Sequence, residues 1–139
     1  CKKYPTVFFP KWNKSKYLGG VHEYKRLELA KKIDEECALK SASWGMFQIM
    51  GFNHNLCSCK DVYEFVHKMS ESHEKQLELM YYFMNTSGCL KNLKEKDWAG
   101  FARKYNGPGY AQNAYDQKLR NSYENFKDKI WKDVILTAG

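Results

Sequence analysis

The sequence predicts a mainly α fold of about six helices with little or no sheet. Apolar residues recur at helical spacing along most of the chain, and residues that favour helix ends flank several of these stretches. We find no convincing strand pattern, internal repeat or shift in composition. Residues 1–139 are therefore expected to form a single domain.

An irregular, aromatic-rich lead-in over residues 1–21 precedes the first predicted helix. In chain order, we predict helices over residues 22–39, after a cap at Asp61, over 72–85 with Gly88 as its end, around Leu90 and Leu93, after a cap at Asp97, and over 111–131. The core faces are predicted to be Tyr24, Leu27, Ala30, Ile33 and Cys37; Val62, Phe65, Val66 and Met69; Leu77, Met80, Tyr81 and Met84; Trp98, Phe101, Ala102 and Tyr105; and Tyr115, Leu119, Tyr123, Phe126 and Ile130. Residues 41–51 are expected to be a short buried segment, and residues 53–59 a polar loop.

Composition is typical of a globular protein. Hydrophobic residues make up 43% and charged residues 28% of the chain, which argues against disorder. A formal charge of +7 suits a polyanionic partner, such as nucleic acid, anionic lipid or an anionic cell wall. Basic residues are spread along the whole chain, so no segment resembles a nucleic-acid-binding arm, and no apolar stretch is long enough for a membrane span.

The five cysteines form a poor disulfide framework because their number is odd and their spacing irregular. Free thiols indicate folding in a reducing compartment, and a single disulfide bridge remains an alternative. Cys57, Cys59, His54 and Cys37 could be considered as metal ligands. The CxC spacing is not usual for zinc and no second pair follows, so we predict no metal and no other cofactor.

Two segments indicate chemistry. In the first, SASWGMFQIMG over residues 41–51, Gly45 allows a close approach of backbone or ligand. The amide of Gln48 lies among apolar residues and needs a partner, which is either the backbone or a ligand. In the second, FARKYNGPGYAQNAYDQKL over residues 101–119, Tyr105 is either a core residue or a site residue. Asn106 is likewise either a turn residue before Gly107 or part of a site.

Both segments resemble the N-acetylmuramidase family of phage endolysins and related bacterial proteins, in the lysozyme-like superfamily. Its members carry a near-identical Ser-Ala-Ser-Trp-Gly-Leu-Phe-Gln-Ile-Met-Gly followed by Asn-His, which are Asn53 and His54 here. They also carry a Phe-Ala-Arg-x-Tyr-Asn-Gly-Pro-Gly-Tyr stretch. YKRLELA over residues 24–30, Asp34, and the Asp-Trp-Ala at 97–99 extend the similarity along most of the chain.

The resemblance implies a lysozyme-like helical domain that cleaves the β-1,4 bond between N-acetylmuramic acid and N-acetylglucosamine in peptidoglycan. It implies that Tyr105 lies beside the catalytic carboxyl group and that Asn106 lies near the sugar. The implied substrate-binding residues are Gln48, Tyr105, Asn106, Ser43, Trp44 and Tyr110. We expect a monomer that acts on bacterial glycan strands in the periplasm or outside the cell, after synthesis in the cytoplasm and release.

The general acid of this family is a Glu in a Val-Glu-Ser-like segment that precedes the matched region, and no such segment occurs here. We therefore expect the N-terminal part of the domain to be missing and the Glu to lie upstream of Cys1. Alternatively, the protein has kept binding and lost catalysis, or another carboxylate has taken over. Glu36 and Glu35 are the fallback candidates, with Glu23 behind them.

Three functions remain to be compared: a muramidase, an inactive peptidoglycan-binding relative that lacks the general acid, and a basic nucleic-acid binder. The second is motivated by the absent Glu. The third rests on charge alone and leaves both motifs unexplained, so we expect no nucleic-acid partner.

Overall fold

A computed structural model of the protein describes Val7, Ser15, Tyr17 and residues 19–137, with the backbone alone from residue 130 onwards. Most of the lead-in predicted over residues 1–21 lies outside these residues. The described part contains seven α-helices and one two-stranded sheet, which confirms the mainly α class. The chain divides into two compact units, residues 1–83 and 84–139, and each is described by itself.

The first unit contains a 3-10 helix at Gly20–His22, α1 at Glu23–Lys31, α2 at Glu35–Ser41, β1 at Ser43–Trp44, β2 at Ile49–Met50, a second 3-10 helix at Gly51–Cys57, α3 at Val62–Glu71 and most of α4 at His73–Thr86. The second unit contains the end of α4, α5 at Cys89–Lys94, α6 at Trp98–Asn106, a 3-10 helix at Pro108–Asn113 and α7 at Tyr115–Thr137.

The prediction of a single helix over residues 22–39 is wrong, because α1 ends at Lys31 and α2 begins after Asp34. This residue is extended, with φ −158°, and its carboxylate accepts a hydrogen bond of 2.8 Å from the backbone N–H of Cys37. Aspartate favours this position because its short side chain satisfies an N–H at the helix start that has no partner within the helix. An acidic residue inside an apparently continuous helical pattern therefore begins a new helix, α2.

The core of the first unit is built largely on α3 and α4. Three of the four residues predicted on the core face of α3, Val62, Phe65 and Met69, are buried, and the fourth, Val66, is half-buried. The predicted face of α4 is wrong in part: Met80 is buried, but Leu77 and Tyr81 are 57% and 52% exposed. Residues 79–84 are all apolar or aromatic, so apolar side chains occur on every face of the helix and their spacing does not indicate which face is buried. The face that is buried carries Leu79, Met80 and Phe83.

Residues 43–50 form a β-hairpin, and the segment over residues 41–51, which was expected to be buried, is buried only in part. Within it, Ile49 and Gly51 are buried, whereas Ser43, Met46 and Gln48 are exposed. The antiparallel strands are only two residues long. Most of the predicted polar loop over residues 53–59 is helical instead, within the 3-10 helix that follows β2 directly.

The second unit is organised around α6. The carboxylate of Asp97 caps this helix by accepting a 2.9 Å hydrogen bond from the N–H of Gly100, as predicted. Trp98, Phe101 and Ala102 are buried. Trp98 packs on Tyr123 of α7, with the ring centroids 5.4 Å apart.

The observed helix ends in this unit agree in part with those predicted from the sequence. Gly88 adopts φ 74° after the end of α4, which confirms its predicted role at that helix end. The last helix starts at Tyr115 rather than residue 111, because residues 108–113 form a 3-10 helix after the NGPG break. On its predicted face Phe126 is 52% exposed, while the side chain of Ile130 lies outside the described residues.

The cap of α3 provides a test of the first unit. The carboxylate of Asp61 accepts a 2.8 Å hydrogen bond from the N–H of Glu64. Replacing Asp61 with Ala leaves this N–H without its partner, and we expect the free energy of unfolding to fall by about 1 kcal/mol. Asp61→Asn keeps the capping oxygen and should retain most of the stability. Urea unfolding followed by circular dichroism makes the comparison, and equal losses in both variants would contradict the capping role.

Candidate functional site

A cleft of about 890 Å³ lies in the first unit and is lined by α1, α2 and the hairpin. This volume is within the range of about 300–1,000 Å³ that is common for small-ligand sites. We call it the α1–hairpin cleft. Three of the residues predicted from the sequence to bind substrate, Ser43, Trp44 and Gln48, are together in its lining.

The helical wall of the α1–hairpin cleft is formed by residues of α1 and α2, several of which were predicted to lie in the core. Tyr24, Leu27, Ala30 and Cys37 were predicted to face the core, and all four line the cleft instead. No residue of α1 is buried, and Tyr24 is 61% exposed. A helix that faces an open cleft has the same apolar periodicity as one that faces a core, so the sequence pattern alone could not distinguish the two.

The other wall is the hairpin, in which Ser43 pairs with Met50 and Trp44 with Ile49. The chain reverses through Gly45 and Gln48, which adopt φ 68° and φ 53°. A positive φ is ordinary for glycine but uncommon for glutamine, because a Cβ is disfavoured in the left-handed region. The backbone at Gln48 is therefore held in place by its surroundings.

The side chain of Gln48 supplies two of the hydrogen bonds that hold this turn. Its Oε1 accepts from the hydroxyl of Ser43 at 2.9 Å, and its Nε2 donates to the carbonyl of Gly45 at 2.8 Å. A primary amide offers two N–H donors and two oxygen lone pairs. Half of the hydrogen-bonding capacity of this exposed amide thus closes the turn, and the other half remains available.

The base of the hairpin is attached to α2. The indole Nε1 of Trp44 donates to the carbonyl of Leu39 at 3.0 Å, and the N–H of Gly51 donates to the carbonyl of Ala42 at 2.9 Å. A Cβ on Gly51 would overlap the carbonyl oxygen of Leu39. Glycine at this position therefore permits the hairpin to lie directly against the end of α2.

The charged side chains in the described lining of the cleft form ion pairs, hydrogen bonds or aromatic contacts with neighbouring residues. The carboxylate of Glu23 contacts Arg26 at 2.8 Å and accepts from the N–H of Gly19 at 3.0 Å. The guanidinium of Arg26 also lies 4.3 Å from the ring centre of Tyr17. The hydrogen bond from the Cys37 N–H holds the pKa of Asp34 below its ordinary value.

The fallback acids of α2 do not line the cleft. Glu35 lies 3.4 Å from the ammonium of Lys31, and Glu36 lies 2.6 Å from that of Lys40. Both glutamate side chains are more than half exposed, at 52% and 55%. They have the surroundings of surface ion pairs, whereas a catalytic acid needs an environment that favours its protonated form.

The remaining predicted site residues belong to the second unit. Tyr105 lies in the last turn of α6 and stacks on Phe101, with ring centroids 5.6 Å apart and an interplanar angle of 11°. Asn106 is the exposed last residue of that helix, and the half-buried Tyr110 lies in the 3-10 helix that follows. One face of the Tyr105 ring therefore packs on Phe101, a core residue of this unit, and Tyr105 is half-buried.

The described cysteines, Cys37, Cys57, Cys59 and Cys89, are free thiols. Burial raises the pKa of Cys57 to about 12, and burial also raises that of Cys59. Among the described residues, no three His, Cys, Asp or Glu side chains are grouped in a way that could hold a metal ion. No helix in the same part of the chain has both the length and the apolar character needed to cross a membrane.

Comparisons with known proteins identify the class of protein that carries this fold and cleft. The family model for N-acetylmuramidases matches residues 1–127, and the chain belongs to this family. Among solved structures, the endolysin of the Burkholderia phage AP3 is similar, with 40% sequence identity and a TM-score of 0.79. The match covers 91% of this chain and 49% of the endolysin, so this chain spans about half of that protein's length. No curated protein matches.

Gly45 provides a test of the hairpin. A Cβ at this position would lie 2.9 Å from both Oε1 of Gln76 and Sδ of Met69, and the positive φ adds strain. We expect Gly45→Ala to lower the free energy of unfolding by about 1–3 kcal/mol. Gly88→Ala is the matched control, because Gly88 also has a positive φ, of 74°, but a Cβ there makes only an ordinary contact, at 3.6 Å. Thermal unfolding of both variants makes the comparison, and equal midpoints would contradict the packing described at Gly45.

The low pKa of Asp34 predicts a pH effect. A carboxyl group whose pKa is lower in the folded state stabilises the protein above its unfolded pKa of about 4, and that contribution is lost as pH falls through the folded pKa. Asp34→Asn keeps an oxygen that can cap α2 but removes the titration. The stability difference between wild type and Asp34→Asn should therefore shrink as pH decreases below about 4. Thermal midpoints from pH 7 to pH 3 measure this difference, and a constant difference would contradict the prediction.

Proposed function

We propose that this protein acts on bacterial peptidoglycan as a muramidase, a glycoside hydrolase that cleaves the β-1,4 bond between N-acetylmuramic acid and N-acetylglucosamine. The α1–hairpin cleft is the part that binds the glycan. The observation that carries the proposal is the joint presence of Ser43, Trp44 and Gln48 in the lining of one cleft, in a chain that belongs to the N-acetylmuramidase family.

The chemistry of the cleft suits this substrate. Both sugars of the glycan carry an N-acetyl group, which offers one N–H donor and one carbonyl acceptor. Gln48 has one N–H and one lone pair beyond those used within the turn, so it can pair with such a group in both directions. The rings of Trp44 and Tyr24, in the lining of the same cleft, supply apolar surface against which a sugar ring can pack.

Hydrolysis needs a carboxyl group that protonates the leaving oxygen. In the described lining, both oxygens of Glu23 already accept contacts, and Asp34 favours its charged form as the cap of α2. Neither has the surroundings of a general acid. We therefore assign binding to this cleft and the proton to another carboxyl group. The resemblance to the N-acetylmuramidase family implies a glutamate for this role.

Tyr105, Asn106 and Tyr110 enter the proposal through the family resemblance. We propose that the Tyr105 hydroxyl orients the catalytic carboxyl group and that Asn106 and Tyr110 contact the sugar. The formal charge of +7 supports action at the cell wall, because a basic protein is concentrated near an anionic polymer. The reaction requires no metal or organic cofactor, and we propose that the protein works as a monomer.

The reaction is tested by adding the full-length protein to a suspension of purified peptidoglycan and following turbidity. Loss of turbidity with new reducing N-acetylmuramic acid ends is the expected result. Products with anhydro-sugar ends would replace hydrolysis with lytic transglycosylase chemistry. Intact glycan strands would overturn the enzymatic part of the proposal.

A second function is glycan binding without cleavage. It is favoured because the carboxylates of Glu23 and Asp34 in the described lining already form ion pairs or hydrogen bonds. Sedimentation with insoluble peptidoglycan separates the two functions. Retention on the pellet without release of reducing ends supports a binding protein. Absence of retention would overturn the function of binding without cleavage.

The role of Gln48 in binding is tested with Gln48→Gly. Glycine accepts the positive φ at this position without strain, so the variant removes the amide and its two turn hydrogen bonds without adding backbone strain. We expect the dissociation constant for a peptidoglycan tetrasaccharide to rise by about tenfold, which corresponds to one or two lost hydrogen bonds. Ala114→Gly is the matched control, because Ala114 also has a positive φ, of 50°. Titration calorimetry measures both variants, and unchanged affinity of Gln48→Gly would contradict the role of the amide.

A further inference from the structure

The tip of the hairpin is attached to the rest of the first unit through Gln76, a residue of α4. Its Oε1 accepts a hydrogen bond of 2.9 Å from the backbone N–H of Met46. Its Nε2 donates at 2.8 Å to the carbonyl of Met69, near the end of α3. One side chain thus connects three elements, and its contact with Met46 spans 30 residues of sequence.

The hairpin depends on such contacts because it has little stability of its own. Its strands are two residues each, and a short isolated hairpin is marginally stable in water. Trp44 and Gly51 hold its base on α2. At the tip, the side chain of Met46 is 55% exposed and provides little packing. The hydrogen bond to Gln76 therefore restrains the tip where packing is weak.

The contact also has a structural reason on the helix side. Met69 is close to the C-terminus of α3, where the last four carbonyls of a helix have no partner within the helix. The amide of Gln76 satisfies one of these carbonyls and at the same time offers its oxygen to the hairpin. Gly45 makes this approach possible, since a Cβ there would lie 2.9 Å from the Gln76 oxygen.

We propose that Gln76 is a positioning residue for the glycan site. It fixes the tip of the hairpin so that Ser43 and Gln48 are held in place in the α1–hairpin cleft. Gln76 does not line that cleft, and its effect on binding passes through the backbone of Met46. The inference rests on the proposed function, because it assumes that the cleft binds glycan.

Two variants separate positioning from general stability. Gln76→Met keeps a side chain of similar length and removes both hydrogen bonds. Gln76→Glu keeps the oxygen that accepts from Met46 and loses the donor to Met69. Gln117→Met, on the exposed surface of α7, is the control for introducing methionine on a helix. Each variant is compared with wild type by amide hydrogen exchange at Met46, thermal midpoint, and affinity for a peptidoglycan tetrasaccharide.

We expect Gln76→Met to increase exchange at Met46 and to weaken tetrasaccharide binding, each by about tenfold, the size expected for a lost hydrogen bond. Gln76→Glu should lower the thermal midpoint as well, yet retain slow exchange at Met46 and an affinity within about threefold of wild type. Gln117→Met should match wild type in all three measurements.

The outcomes distinguish this inference from the proposed function. If wild type binds the tetrasaccharide and Gln76→Met binds equally well, the positioning role is overturned and the proposed function stands. If affinity follows the thermal midpoint in both Gln76 variants, the residue contributes to stability only and the inference is again overturned. If wild type itself does not bind, the proposed function fails. Exchange at Met46 then still shows whether Gln76 restrains the tip.

Discussion

The close approach of Gly51 to the end of α2 constrains the hairpin wall of the α1–hairpin cleft. Any side chain at this position would overlap the Leu39 carbonyl, and the hairpin would have to move away from the helix. With glycine there, the backbone of Gly51 and the indole of Trp44 both hydrogen-bond to the last residues around α2. The hairpin is therefore placed by main-chain geometry at its base, and the positions of Ser43 and Gln48 follow from that placement.

Local signals in the sequence were sufficient for most of the helices. Asp61 and Asp97 cap the helices that they were predicted to begin, since capping depends on residues only three positions apart. The cap at Asp34 was not predicted, because apolar residues continue at helical spacing across this boundary. The core face of α4 could not be chosen from six consecutive apolar or aromatic residues, because tertiary packing decides which of them are buried.

The candidate site could be predicted only where its residues lie in one motif. Ser43, Trp44 and Gln48 come from one segment whose resemblance to a family was recognisable, and all three line the cleft. Tyr24 and Cys37 were assigned to the core, because periodicity does not tell a cleft from an interior. Gln76 gave no signal at all, since its contact with the hairpin joins residues that are distant in sequence.

The backbone at Gln48 has a consequence for attempts to make this protein more robust. A left-handed backbone at a residue other than glycine costs of the order of 1–2 kcal/mol. Gln48 adopts this backbone conformation, and its side chain also closes the turn. A redesign that ranks substitutions by backbone strain alone would favour glycine at position 48. Such a variant would relieve the strain but lose both side-chain hydrogen bonds that close the turn, together with the amide in the cleft lining. Backbone strain is therefore a poor guide to the residue that suits this position.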